Sequence, residues 1–214
     1  MFNHVGVELQ PIKATNNDGV RLYETPDGSK YPSITTVLSV RNKKGLMEWR
    51  KRVGNDVANH VARTAAARGT KVHHMCEDYL NNMQSNYPKE WEKHKKNFLP
   101  YCLFGQLKDK ALCNIDNIYA QEAGLYSDKY KVAGRVDCIA EYNGVPSIID
   151  FKTSARSSPP HEITHEIQLS SYAYLFRQAS GDEEGGLDIR SLIKTKKPKV
   201  DFHTYPARSD RHFR

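Results

Sequence analysis

Two aspartates and a lysine interrupt the most strand-like segment of the chain. The segment GRVDCIAEYNGVPSIIDFKTS spans residues 134–154, and its apolar runs contain Asp137, Asp150 and Lys152. The Asn-Gly pair between these runs is typical of a two-residue turn and predicts a β-hairpin. A turn of that length pairs Asp137 directly with Asp150, and Lys152 points to the same side as Asp150. The sequence therefore predicts that three charged groups converge.

Directly opposed carboxylates repel each other and destabilise the pair of strands. A divalent cation between them removes this penalty, and hard oxygen ligands suit Mg²⁺ or Mn²⁺. Lys152 could then hold or activate a water molecule against a phosphate. The alternative is an ordinary ion pair on a solvated strand face, in which Lys152 neutralises both acids. The opposite face is predicted to be core and carries Val136, Cys138, Ala140, Val145, Ile149 and Phe151.

Two further pairs of residues lie four apart on predicted helices, so each pair shares a helix face. His73 would add a nitrogen ligand, which favours Mn²⁺, and Glu77 would orient its imidazole. The alternative is a surface histidine with an ion pair. Gln168 and Tyr172 would support the site, or they form only a buried polar edge. His74 lies about 100° around the helix from His73 and is expected to stay outside the site.

A third candidate region begins at Ser33, which follows a proline and precedes a predicted helix. Backbone N–H groups at a helix start can bind a phosphate, and Thr35 and Thr36 lie beside this start. Simple N-capping by Ser33 explains the same residues. Both interpretations stay open from the sequence.

These residues resemble the motifs of the PD-(D/E)XK nucleases. G-x-x-D at 134–137 and D-x-K at 150–152 match the motif that gives the family its name. RGTKVHHMCEDYL resembles the helix with G-x-x-x-H-x-x-x-E in RecB-type members, and QLSSY resembles their Q-x-x-x-Y motif. YPSITTVLS, with LMEWRKRVG after it, is similar to the N-terminal region of the mitochondrial genome maintenance exonuclease group and its phage relatives. The resemblance spans residues 31–178.

The resemblance implies a role for each matching residue. His73, Asp137, Asp150 and the Phe151 carbonyl would bind one or two Mg²⁺ or Mn²⁺ ions, and Lys152 would be catalytic together with the two aspartates. Gln168 and Tyr172 would support the site and the substrate. Further candidates for supporting or substrate-binding residues, taken from the sequence itself, are Glu77, Ser33, Thr35 and Arg135. No iron–sulfur cluster is expected, because the four cysteines contain no CxxC pair.

The elements that must position these residues are helices followed by a sheet. The pattern predicts a hairpin over 20–32, helical residues over 46–83 with breaks near Gly54 and before Arg68, and a helix over 89–110. Strands follow at 115–122, 131–142 and 145–153, then a helix over 162–179, a loop at Gly185-Gly186, and strands near 188–194 and 199–205. The predicted class is α/β (α+β-like): N-terminal helices and a central mixed sheet flanked by helices, a restriction-endonuclease-like nuclease core.

The length and composition fit one domain. The chain has 214 residues, and we expect a single nuclease domain with an N-terminal extension over 1–32, a core over 33–205 and a mobile tail over 206–214. No apolar run is long enough to cross a bilayer, and the start lacks the layout of a signal peptide. Cys76 and Cys138 lie in apolar patterns and are expected to be buried free thiols of a reducing compartment. We expect a cytoplasmic protein of a bacterium or a phage-infected cell.

The charge and motifs together predict DNA as the partner. The net charge is +7, which fits a polyanion but is weak evidence by itself. The leading hypothesis is a metal-dependent deoxyribonuclease, an exonuclease on single-stranded or free DNA ends in replication, recombination or repair, working with replication or recombination proteins. One alternative is a structure-specific endonuclease. Another is a non-catalytic DNA-binding recombination accessory protein, which the complete motifs argue against.

Overall fold

A mixed six-stranded sheet forms the centre of the protein and carries helices on both faces. The computed structural model describes residues 1–17, 20–40, 43–154, 162–181, 192–196 and 200–203. The strands are β1 (Asn3–His4), β2 (Lys13–Asn17), β3 (Val20–Glu24), β4 (Lys30–Pro32), β5 (Ile115–Ser127), β6 (Val132–Tyr142), β7 (Val145–Ser154), β8 (Leu192–Lys196) and β9 (Val200–His203). The helices are α1 (Ile34–Ser39), α2 (Lys43–Val53), α3 (Asn55–Leu80), α4 (Met83–Asn86), α5 (Pro88–Lys95), α6 (Phe98–Lys110) and α7 (Glu162–Ser180).

The order of the central sheet is β1-β5-β6-β7-β8-β9. β1 runs parallel to β5 and β7 runs parallel to β8, whereas the other neighbours are antiparallel. The sheet is therefore mixed, and the predicted α/β class is confirmed.

The predicted hairpin of β6 and β7 is confirmed with its register. Asn143 and Gly144 have φ of 51° and 74°, the left-handed values that a two-residue hairpin turn requires. Pairing runs from Tyr142 opposite Val145 to Cys138 opposite Ile149. Beyond that pair the structure gives no further β6–β7 ladder position within its described residues. The ladder therefore stops one residue before the two aspartates would face each other.

Both faces of this hairpin are covered, so the prediction of one core face and one charged face is wrong. The first core lies on the side of α3 and α6 and includes Val72, Met75, Cys76, Leu103, Leu107, Cys138, Ile149 and Phe151. The second core lies on the side of α1 and α7 and includes Ile34, Val136, Ile139, Ile148, Leu169, Tyr172 and Phe176. Val136 was predicted to share a face with Cys138, yet the two side chains belong to different cores. The alternation of strand β6 therefore shifts at Asp137.

This shift in β6 coincides with an irregularity in β5. Cys138 pairs with Gln121 and Val136 pairs with Ala123, which leaves Asp137 and Glu122 as the unpaired positions between them. Glu122 has a positive φ of 46°, which is uncommon for a residue with a side chain. The backbone therefore departs from regular strand geometry at Glu122, opposite Asp137.

The N-terminal residues form a second, three-stranded sheet. The predicted hairpin is confirmed, because β3 and β4 are antiparallel with Leu22 opposite Pro32, and β2 adds a strand that the sequence did not reveal. Ser33 then caps α1: its Oγ accepts the Thr36 N–H at 3.0 Å. Ser33 also forms a parallel bridge with Ala133, which ties this small sheet to β6.

The helices differ from prediction at two places. Gly54, with φ of 83°, separates α2 from α3 as predicted. The expected break before Arg68 is wrong: α3 continues for 26 residues, because its alanine-rich centre favours helix. The predicted helix over 89–110 is instead two helices, α5 and α6, that meet near Asn97. None of the helices in the described ranges is long and apolar enough to cross a bilayer.

Several predictions concern single side chains or chain ends. Cys76 and Cys138 are buried free thiols as expected. Strands β8 and β9 agree in part with the two predicted C-terminal strands. The expected loop at Gly185-Gly186 and the expected tail over 206–214 lie outside the described residues.

Substitution of Gly134 should destabilise the fold. A Cβ there would lie 2.6 Å from Tyr172 Cε1, so the Tyr172 ring or the strand must move. We expect Gly134→Ala to lower the free energy of unfolding by about 1–3 kcal/mol, the usual cost of overpacking. Urea unfolding followed by circular dichroism measures this loss.

Gly105→Ala is the matched control. A Cβ at Gly105, within α6, meets nothing within 4 Å. Alanine is favoured over glycine in helices by about 1 kcal/mol, so this variant should be as stable as the parent or more stable. Unchanged stability of Gly134→Ala would contradict the close packing of Tyr172 on β6.

Candidate active site

Asp137 is fixed by the backbone of the neighbouring strand. Its Oδ2 accepts the Phe151 backbone N–H at 2.6 Å, at the position where the ladder has stopped. The same oxygen lies 3.5 Å from His73 Nδ1 on α3. The Asp137 side chain remains 13% exposed, so one edge of the carboxylate faces the solvent. This aspartate is held in place and yet accessible.

His73 reaches the same point from α3. Its ring packs edge-to-face on Phe151 with 5.9 Å between the ring centres. Burial alone would lower the pKa of His73, but the Asp137 carboxylate outweighs it, and the pKa lies above its ordinary value. The structure thus brings together His73, Asp137 and Phe151, three residues that the resemblance places in the metal site.

Glu122 is a third potential ligand that sequence reasoning missed. One ligand atom from each of His73, Glu122 and Asp137 lies within 4.8 Å of the others. Burial and then the charges of Asp137 and Glu77 raise the pKa of Glu122. The sequence prediction ended the strand that became β5 at residue 122 and did not extend its pairing with β6 as far as Asp137. Extending that pairing would have placed Glu122 opposite Asp137 and identified it as a candidate ligand.

Asp150 and Lys152 form a separate ion pair. Lys152 Nζ donates to Asp150 Oδ1 at 2.6 Å, and Gln168 Nε2 on α7 donates to the same oxygen at 3.0 Å. Burial and then Asp137 raise the pKa of Asp150, with Lys152 acting in the opposite direction. Burial would lower the pKa of Lys152, but Asp150 and Asp137 outweigh it and raise the pKa.

The predicted direct opposition of Asp137 and Asp150 is not the arrangement that the described residues show. Asp150 lies between Ile149 and Phe151 of the first core and is bound by α7 from the other side. Asp137 contacts His73 of α3. The predicted single cluster is thus two adjacent clusters. Lys152 pairs with Asp150 as in the ion-pair alternative, but Asp150 is buried and does not lie on a solvated strand face.

The predicted supporting residues lie at different places. Tyr172 is buried against Gly134, and burial raises the pKa of its hydroxyl. Glu77 Oε2 lies 3.5 Å from Nδ1 of His74, so Glu77 contacts this histidine instead of orienting His73 as predicted. Thr35 Oγ1 lies 3.0 Å from Ser33 Oγ within the helix cap, which supports the capping interpretation of Ser33 over the phosphate one.

An open cleft of about 480 Å³ adjoins the first cluster. Its lining residues are Arg21, Ala66, Gly69, Thr70, His73, His74, Glu122, Arg135 and Asp137. Arg135 Nη1 lies 3.8 Å from Glu122 Oε2 and partly offsets the negative charge there. The cleft therefore joins a group of acids to two arginines, which suits a cation together with a phosphate.

The donor set fits a divalent cation. Two carboxylates and an imidazole converge, and the carboxylates repel each other when both are ionised. Carboxylate oxygens suit Mg²⁺ and Mn²⁺, and an imidazole nitrogen adds preference for Mn²⁺. His73, Glu122 and Asp137 are therefore the residues of this structure that could hold such an ion.

Sequence comparison agrees with the geometry. Residues 44–213 match the model of the PD-(D/E)XK nuclease superfamily. Mitochondrial genome maintenance exonuclease 1 from Mus musculus and that from Homo sapiens are each 26% identical to the chain over 152 residues. The match covers 67% of this chain but only 43% and 42% of those relatives, so the chain spans less than half of their length.

A solved structure adds little to this assignment. The crystal structure of SSO0001 aligns with 18% identity and a TM-score of 0.34, covering 67% of this chain and 68% of that one. At this TM-score the alignment has no weight for the fold. The assignment depends on the family match, which covers more than half of the chain and includes the His73, Asp137 and Asp150 positions. The chain belongs to the PD-(D/E)XK nuclease superfamily.

Proposed function

We propose that this chain is a metal-dependent deoxyribonuclease that acts on free DNA ends. The observation that carries the proposal is the convergence of His73, Glu122 and Asp137 beside the Asp150–Lys152 pair. Membership of a nuclease superfamily supports hydrolysis of phosphodiester bonds. The relatives named as exonucleases support action at ends, and their distance makes this step a proposal.

In this proposal His73, Glu122 and Asp137 hold Mg²⁺ or Mn²⁺, with Asp150 and the Phe151 carbonyl nearby as further ligands. A bound divalent ion lowers the pKa of a water molecule and offsets charge on a phosphate. The chain itself fixes the donors: Phe151 N–H holds Asp137, and α3 presents His73. In this proposal the metal donors are therefore held by a backbone hydrogen bond of β7 and by helix α3.

Lys152 is proposed to stabilise negative charge that develops on the phosphate. Its raised pKa keeps the ammonium protonated at neutral pH, so it serves as a charge or proton donor and not as a base. Asp150 holds the ammonium, and Gln168 in turn holds Asp150. The Lys152 side chain is 33% exposed, which leaves it accessible to a substrate.

The remaining features suit a nucleic acid. The net charge is +7, and the last turn of α2 carries Arg50, Lys51 and Arg52. Such a surface attracts phosphates, and its binding weakens with salt. We place this activity in DNA replication, recombination or repair in the cytoplasm of a bacterium or a phage-infected cell.

Loss of the imidazole should weaken use of the metal. His73→Ala should raise the Mn²⁺ concentration for half-maximal cleavage at least about tenfold, a loss expected near metal ligands. His74→Ala is the matched control. Contrary to expectation His74 lines the cleft, but it is not one of the three converging donors: it contacts Glu77, and its side chain is 64% exposed. Cleavage of a labelled oligonucleotide across a Mn²⁺ titration measures both. Equal effects would place the metal elsewhere.

Closed and open strands separate the modes of cleavage. Linear single-stranded DNA should be degraded in Mg²⁺ or Mn²⁺, and circular single strands of the same sequence should persist. The Asp137→Asn variant should cleave neither the linear nor the circular strands. It should keep its fold, since the amide oxygen can still accept the Phe151 N–H. Gel electrophoresis follows the products. Rapid cutting of circles favours the structure-specific endonuclease, and binding without cleavage favours the accessory protein.

Lys152→Ala should separate binding from chemistry. A charge used mainly in the transition state lowers kcat when lost and leaves affinity nearly unchanged. We expect single-turnover cleavage at least about a hundredfold slower, the scale of losing one electrostatic stabiliser. DNA affinity in Ca²⁺ should stay near that of the parent. Lys152→Arg should not restore full activity, because its guanidinium is planar and does not give up a proton.

The converse result has a clear meaning. Near-normal cleavage by Lys152→Ala would remove the ammonium from the mechanism and leave Lys152 as the neutralising partner of Asp150. Circular dichroism on the same samples shows whether the buried Asp150 still tolerates the loss of its partner.

A further inference from the structure

The small N-terminal sheet contributes a residue to the cleft. Arg21 of β3 and Arg135 of β6 line the same cleft as His73, Glu122 and Asp137. Arg21 comes from outside the central sheet and outside the motifs of the resemblance. Its presence at the cleft therefore needs an explanation of its own.

The two arginines differ in their charge partners. Arg135 Nη1 lies 3.8 Å from a Glu122 carboxylate oxygen. Across the ranges that the structure describes, Arg21 forms no ion pair, and its side chain is exposed. Its guanidinium carbon lies 5.2 Å from the ring centre of Tyr23, which is only 2% exposed. Arg21 thus rests on a buried aromatic ring and keeps its charge available in the cleft.

Backbone contacts fix Arg21 relative to the site. Its carbonyl accepts the Ser33 N–H at 3.3 Å. Ser33 in turn bridges to Ala133, which lies two residues before Arg135 on β6. The position of Arg21 is therefore coupled to the strand that carries Asp137. The guanidinium on this fixed backbone presents several planar N–H donors, the geometry that matches phosphate oxygens.

We propose that Arg21 binds a phosphate that neighbours the scissile one, and that with Arg135 it fixes the register of the DNA strand in the cleft. The inference rests on the proposed function, since the strand must place its scissile phosphate at the His73 cluster. The charge on the cleft wall favours a phosphate over an uncharged group, because Arg21 lacks an acidic partner among the described residues. Arg21 is then a substrate-binding residue that lies outside the family motifs.

The first experiment measures binding without chemistry. A single-stranded oligonucleotide is titrated in Ca²⁺ against the parent chain, Arg21→Ala, Arg21→Lys and Lys13→Ala. Lys13 is an exposed cation of the same small sheet that does not line the cleft. Arg21→Ala should raise Kd about tenfold, as expected for a lost charge-assisted contact. It should also reduce the slope of log affinity against log salt by about 0.7, the value for one phosphate of a single strand.

The controls bracket this result. Lys13→Ala should keep the parent Kd within about twofold, as expected for a charge outside the contact. Arg21→Lys should lie between the parent and Arg21→Ala, since it keeps the charge but not the planar donors. Cleavage in Mn²⁺ at saturating DNA should fall much less than kcat/KM, because the lost contact concerns a flanking phosphate.

The second experiment locates the contact. One neutral methylphosphonate linkage is moved along the oligonucleotide, and each position is tested with the parent chain and with Arg21→Ala. Neutralising the phosphate that Arg21 binds should weaken the parent about tenfold, as for any lost charge-assisted contact, and add little in the variant. The other linkages should affect both proteins equally.

The outcomes separate this inference from the proposed function. Equal losses at every linkage, parent-like binding by Arg21→Ala, or the same loss in Lys13→Ala would overturn the role of Arg21 while cleavage by the parent still stands. A parent chain that neither binds nor cleaves DNA would overturn both. If thermal unfolding shows that Arg21→Ala is misfolded, Arg21→Lys takes its place in the linkage series.

Discussion

The hydrogen bond from the Phe151 backbone N–H to the Asp137 carboxylate determines the geometry of the site. It forms where β6 and β7 stop pairing, beyond Cys138 and Ile149. A backbone donor that the ladder leaves free must find another partner, and the aspartate supplies it. From Asp150 onward, β7 pairs with β8, its neighbour on the other side in the sheet. The carboxylate thus links β6 to β7 just beyond the end of their ladder, and this hydrogen bond fixes its own position.

Coverage of both sheet faces by helices separates the charged groups. Asp137 contacts His73 on α3, while Gln168 on α7 donates to Asp150. Each acid is therefore held by a different helix, and each helix is anchored in its own hydrophobic core. In the proposed mechanism the metal ligands and the Lys152 ammonium would contact the same phosphate from two sides. Positions fixed in this way lose little entropy when a substrate binds.

The sequence predicted the parts of the site that depend on local rules. The Asn143-Gly144 turn fixes the register, so the hairpin with Cys138 opposite Ile149 could be predicted from turn chemistry alone. The Ser33 cap and the break at Gly54 are equally local. Strict alternation failed at Asp137, which lies opposite Glu122, a residue whose positive φ departs from regular strand geometry although the register of β5 and β6 is unchanged there.

Features that depend on long-range contacts could not be predicted in the same way. Glu77 shares a helix face with His73 by spacing, yet the side chain turns to His74, one residue along. Glu122 and Arg21 have no motif, and they reach the cleft only because β5 and β3 are packed beside β6. Such residues become visible once the register between strands is known. Spacing along one element therefore predicts which residues can meet, and tertiary packing selects the pairs that do.

The charges in the cleft oppose the stability of the ion-free protein. Glu122 and Asp137 are partly buried close to each other, and Arg135 at 3.8 Å offsets only part of their repulsion. The pKa of Glu122 is raised, mainly by burial, and this shift reflects the cost of keeping the carboxylate ionised in the cleft. A fold selected for stability alone would replace one acid with an apolar or neutral residue. Retention of both acids is expected where a cation completes the site, and the same cleft then has arginines left to bind an anion. The acids of the cleft suit a cation, and its arginines suit an anion. A metal-bound phosphodiester supplies both charges, so it matches a cleft in which these residues lie side by side.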